Sequence, residues 1–189
     1  MAYEEVFSEF EVLEAAVKIG ESQTFESIGC IGKVEETANV RTVTKKCRGI
    51  ERKKRTKGTG TGEVKVTLHV PYSVYVGMYG MEDENLKDGV VAYGENSVHP
   101  EFVLVEKILD EDGNVKFKAY PRCIISEGPA PATENGAENV EEVEVTLSYM
   151  PDEYGYGCYE AIESEITEET MKTKWMTAFT PELVRVVSM

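Results

Sequence analysis

Nine of the chain's 20 lysines and arginines fall between Arg41 and Lys57: Arg41, Lys45, Lys46, Arg48, Arg52, Lys53, Lys54, Arg55 and Lys57. Glu51 is the one acid among them. Positive charge packed this tightly can meet the phosphates of a nucleic acid or dock on an acidic protein surface. Nucleic acid is the poorer fit, because no aromatic side chains are interleaved for base stacking. The remaining candidates for chemistry are weaker. TKGTGTGEVK lacks the GxxxxGK[ST] order of a phosphate loop and leads into a strand pattern, not a helix. DEDGN spaces Asp110 and Asp112 as a calcium loop would, but the third ligand and distal Glu are missing and turn chemistry accounts for it. His69 and His99 form no metal-ligand spacing, and neither has a local serine or cysteine partner for nucleophilic catalysis. Cys30, Cys47, Cys123 and Cys158 are far apart, with no CxxC pair, and read as reduced thiols. Neither a cofactor, a metal nor a catalytic residue is expected.

The basic cluster belongs to an acidic chain. The 189 residues carry a formal charge of -15, and that charge is segregated. Residues 1–40 hold nine acids and two bases, residues 41–80 ten bases and two acids, and residues 81–189 24 acids and eight bases. One positive projection on a negative body is complementary to itself head to tail. Such heterologous contacts close into rings or propagate as fibres. The length suits one domain over 1–189, with 41–62 as an extended basic loop. No apolar run approaches the ~18 residues of a membrane span, and MAYEEVFSEF does not have the form of a secretory signal.

The elements that must hold the cluster are mostly strands. In EVKVTLHV, Val64, Val66, Leu68 and Val70 alternate with polar residues, and in EEVEVTLSYM so do Val143, Val145, Leu147 and Tyr149. The first three of each set, Val64, Val66, Leu68, Val143, Val145 and Leu147, define a candidate core. EFVLVEKILDEDGNVKFKAY predicts two strands joined by a tight turn at Asp110–Asn114. Weaker strand patterns lie near 11–19, 27–37 and 175–187. PYSVYVGMYGM breaks the period and predicts a short helix, opened by Pro71 and ending near Gly80. Tyr72, Val76 and Tyr79 would form its packing stripe. EGPAPATENGAENVEE is a surface loop. The fold class is mainly β, a sandwich or open barrel with one flanking short helix and a long basic hairpin loop.

In this order, KKCRGIERKKRTKGTGTG, HVPYSVYVGMYGM, VAYGENSVHPEFVLVEKILDEDGNVKFKAYPRC and WMTAFTPELV resemble the major tail protein, or tail tube protein, of long-tailed bacteriophages of Gram-positive hosts. The resemblance runs from about residue 35 to the C-terminus. It implies a β-sandwich subunit that forms hexameric rings, whose inner strands join into a barrel and whose stacking makes a hollow tube for DNA delivery. It further implies no cofactor and no catalysis, and a place in the virion tail after assembly in the host cytoplasm. The implied partners are other copies, the tape measure, the tail terminator and the distal tail protein. DNA would pass through the lumen without specific binding.

In this reading Lys45, Lys46, Arg48, Arg52, Lys53, Lys54, Arg55 and Lys57 form an assembly loop, mobile in a single subunit and reaching a neighbour. Ten extended residues span roughly 33 Å, enough to cross to another subunit. Glu63, Glu142 and Glu144, on polar faces of strands, are lumen candidates, since an acidic wall lets DNA slide where a basic one would hold it. The alternative is a β-barrel module binding nucleic acid through residues 41–57, and an enzyme is a third reading.

Overall fold

The computed structural model describes residues 6–136 and 138–186. Among these residues eight strands form one antiparallel sheet: β1 (Glu11–Ile19), β2 (Glu26–Ser27), β3 (Cys30–Cys47), β4 (Ile50–His69), β5 (Phe102–Leu109), β6 (Val115–Ile125), β7 (Val143–Tyr149) and β8 (Tyr159–Ile162). Their order is β2-β1-β5-β6-β7-β4-β3, with β8 paired to β6 off that path. The sheet is mainly β in the sense the sequence predicts, an open barrel with unpaired ends.

The alternating segments pair in a register that stacks their apolar residues. Val64 faces Leu147, Val66 faces Val145, and Leu68 faces Val143. Val64, Val66, Leu68, Val145 and Leu147 are buried, and Val143 packs against them half-buried. Helix α1 (Tyr72–Met78) closes this interior with Val74 and Met78, and its Val76 is buried as well. Tyr79 follows it into the core, whereas Tyr72 is 68% exposed and is no part of the packing stripe. The predicted stripe fails at Tyr72 because the first turn of α1 lies at the rim, where its outer side meets solvent. Gly80 ends the helix at positive φ, and a Cβ there would lie 2.1 Å from the Val98 carbonyl oxygen.

A second core lies on the other side of β1, β5 and β6. Val105, Phe117 and Ala119 meet Trp175 and Phe179 there, with Trp175 stacked on Phe117 at 5.5 Å. Trp175 belongs to helix α2 (Glu169–Ala178), and its indole N–H donates to the Lys118 carbonyl at 3.1 Å. The sequence predicts a strand near 175–187; the structure has α2 followed by a 3₁₀ turn at Pro181–Val184, and Val187 lies outside the described residues. A second helix is thus added to the one expected. Thr170, Thr173 and Thr177 lower the helix propensity of α2 and mimic a strand pattern, yet burying Trp175 outweighs that preference. The hydroxyls of Thr173 and Thr177 donate back to the helix carbonyls of Glu169 and Thr173.

Candidate assembly ribbon

β4 pairs with β7 only from Gly62 to Leu68, but with β3 along nearly its whole length. Residues 39–61 therefore run beyond the body of the sheet as a two-stranded ribbon. At ~3.3 Å per residue, the stretch from Asn39 to Cys47 extends roughly 30 Å. The structure pairs the residues of the expected basic hairpin loop as strands. Pairing satisfies the backbone donors and acceptors across the ribbon. Arg48 and Gly49 turn the chain at the tip, both at positive φ (51° and 78°), as two-residue hairpins require.

The register sorts the charges. Arg41 lies opposite Lys57, Val43 opposite Arg55, and Lys45 opposite Lys53. Directly opposed residues point to the same side. One face thus carries Arg41, Lys45, Lys53, Arg55 and Lys57 around Val43. The other carries Val40 with Gly58, Thr42 with Thr56, and Thr44 with Lys54. Thr42 and Thr56 hydrogen-bond across it at 3.1 Å. Register shifts at Lys45/Lys46 leave Lys46, Arg48 and Arg52 around the tip. Two like-charged pairs directly across the strands repel each other, and an acidic partner would relieve that.

The glycines serve this geometry, not a phosphate. Gly60 sits at positive φ where the ribbon leaves the sheet, beside the register shift at Ala38/Val40. A Cβ on Gly62 would lie 2.3 Å from both the Thr37 carbonyl oxygen and the Tyr149 hydroxyl. DEDGN is likewise spent on its turn: the Asp110 carboxylate accepts from the backbone N–H groups of Asp112 and Asn114 and from the Asn114 side chain. Burial acts against its charge, but those donors hold its pKa below the usual value. His99 is structural, donating from Nδ1 to the Ile125 carbonyl at 2.9 Å, which leaves Nε2 to accept from the Tyr93 hydroxyl at 3.1 Å. The four cysteines are free thiols. Among the described residues no group of three or more His, Cys, Asp or Glu side chains is arranged to hold a metal ion.

Glu63, Glu142 and Glu144 are spread along one polar face of the β4–β7 pair and the chain just ahead of it. Glu144 lies opposite Thr67 and 3.8 Å from Lys65, whose β3 neighbour is Glu35. The Glu142 carboxylate lies over Gly32, just ahead of β7, and Glu63 faces Thr37 and Ser148. All three are exposed. Lys33 and Lys65 interrupt the face, so it is acidic but not uniformly so.

No family model matches the chain, and no curated protein matches it in sequence. Among solved structures, the anti-feeding prophage cap, described as a tube terminating cap, is similar with a TM-score of 0.45 and 8% identity, over 86% of this chain and 99% of that one. A likeness of this size carries no inference about function.

Sequence reading missed a second polar cluster, inside the barrel. Glu106 on β5 lies opposite Lys118 on β6 and is fully buried. Lys118 reaches Glu9 at 2.8 Å, Glu36 at 3.0 Å and Glu160 at 3.5 Å. Lys116 bridges Glu9 and Glu160 beside it. Burial works against the Lys118 charge, but its bonds to Glu9 and Glu36 keep it protonated. Among the described residues neither oxygen of Glu106 has a hydrogen-bond partner. Burial pushes the Glu106 pKa up to about 7, against the pull of Lys118 and with the added repulsion of Glu36, Glu9 and Glu160.

This has a measurable consequence. A carboxyl raised in the folded state keeps a proton that the unfolded chain releases, so it favours folding least above the folded value. Stability should fall as pH rises from about 4.5 through about 7, by about 3 kcal/mol from this group. Urea unfolding from pH 5 to 8 should show the decline, and Glu106→Gln should remove that part of it. An identical pH profile in the variant would mean that Glu106 titrates normally.

Proposed function

We propose that this chain is a structural protein of a bacteriophage-type tail, assembling with copies of itself into stacked rings that form a tube for DNA. The observation that carries this reading is the ribbon: a projecting strand pair with five bases on one face, on a body whose remaining charge is strongly negative. A ribbon of that length spans the distance between neighbouring subunits, and its cross-strand repulsion is relieved by acidic surface, which every copy supplies. The resemblance of the sequence to tail tube proteins of phages with Gram-positive hosts gives the ring its hexameric form. It also gives the neighbours, namely tape measure, tail terminator and distal tail proteins. The exposed Glu63, Glu142 and Glu144 suit a lumen wall that repels DNA and lets it pass. No cofactor takes part, and the work is mechanical.

Electron microscopy of the purified protein at high concentration tests the proposal. Rings or tubes are the expected result. A protein that stays monomeric and shifts duplex DNA in a gel would overturn it in favour of nucleic-acid binding through the ribbon. The lumen assignment is separable: an assembled form with a neutral or basic channel would remove the role of the three glutamates and leave the tube.

A further inference from the structure

The cluster around Glu106 forms the floor of a pit of 310 Å³ at the open side of the barrel, between the chain leading into β1 and the edge strand β3. Phe10, Glu11 and Lys33 on its rim are exposed, while Glu106, Ile108 and Lys118 at its floor are buried. Four carboxylates, Glu9, Glu36, Glu106 and Glu160, share two ammonium groups, and Glu106 is the one left with neither a hydrogen bond nor an ion pair among the described residues. A fully buried carboxylate without a donor is costly in an isolated fold, and a cationic donor is what it lacks.

We propose that this pit is a socket for a lysine or arginine side chain from the basic ribbon of a second copy of the chain. The inference deepens the assembly reading, supplying the acidic surface on which the ribbon closes. A metal ion is the wrong occupant, because the Lys118 ammonium already sits among the carboxylates that would ligate it. A nucleic acid is excluded by charge. The ribbon is the concentrated source of basic side chains in this sequence, and a long flexible side chain can pass an exposed rim to a buried floor. Charge-assisted bonds from the incoming group satisfy Glu106, which then ionises on assembly and loses the proton it holds in the free subunit.

Two full-length variants test this. Glu106→Gln keeps the ribbon and loses the socket; Lys53→Glu with Arg55→Glu keeps the socket and reverses part of the ribbon. By sedimentation velocity each variant alone should need at least about tenfold more protein than wild type to self-associate. Mixed, they should form a complex, since one intact ribbon then meets one intact socket. Infrared spectra near pH 6 should show a protonated carboxyl band in dilute wild type that is absent in Glu106→Gln and disappears when wild type associates. Normal tubes from Glu106→Gln, or a carboxyl band unchanged by assembly, would overturn the socket and leave the tube. Small oligomers that depend on both Glu106 and the ribbon, without tubes, would overturn the tube and keep the socket. A wild type that stays monomeric at all concentrations overturns both.

Discussion

Val66→Asp and Leu147→Asp are each expected to abolish soluble, folded protein. Val66 is 2% exposed and sits between Val34 on β3 and Val145 on β7; Leu147 is 4% exposed and sits between Val64 and Ile125. Either change forfeits ~1.5–3 kcal/mol of apolar burial and puts a charged carboxylate into an apolar cluster. The sum approaches the ~5–15 kcal/mol that holds a typical domain together. Val140→Asp is the control, because that side chain is 83% exposed in the loop before β7. Expression level, solubility and far-ultraviolet circular dichroism decide the matter. Folded, soluble Val66→Asp and Leu147→Asp proteins would mean that the inward face of β4 and β7 is wrongly assigned.

These positions were readable because β4 and β7 bury one face and leave the other polar, so their sequence alternates. The turn at Asp110–Asn114 was readable for a local reason, the Asp carboxylate serving the backbone of its own turn. β5 and β6 alternate less clearly, since α2 covers one side of them and α1 helps to close the other, and a strand buried on both faces has no period to show. α2 itself hid behind its threonines. The basic stretch announced its charge in the sequence, but not that Arg41, Lys45, Lys53, Arg55 and Lys57 would share one face. That depends on the register, which the bulge near Lys45 and the turn at Arg48–Gly49 set. Glu106 was invisible. In a chain with 35 acidic residues, one glutamate within a strand reads as a solvated side chain until the rest of the sheet closes over it.

The second large effect is expected in the ribbon. Replacing Lys53, Lys54 and Arg55 together by Glu should leave the fold intact, because all three side chains are exposed and beyond the part of β4 that pairs with β7. Lys53→Glu even turns the repulsive pair with Lys45 into an attractive one, so the ribbon itself should hold at least as well. Assembly should suffer. Exposed ion pairs contribute only about 0–1 kcal/mol each, but three reversed charges replace attraction to an acidic neighbour by repulsion, for a loss of about tenfold to a hundredfold in association. Lys54 faces away from Lys53 and Arg55, so reversing Lys54 alone should have the smallest effect of the three.

Sedimentation velocity of the wild type and the triple variant across salt concentration tests the central claim, that the basic ribbon joins copies of this chain. Wild type is expected to form large species at low salt that dissociate as salt rises toward 1 M, where the Debye length falls to ~3 Å, and the variant to stay small throughout. Equal association of the two proteins at every salt concentration would contradict it.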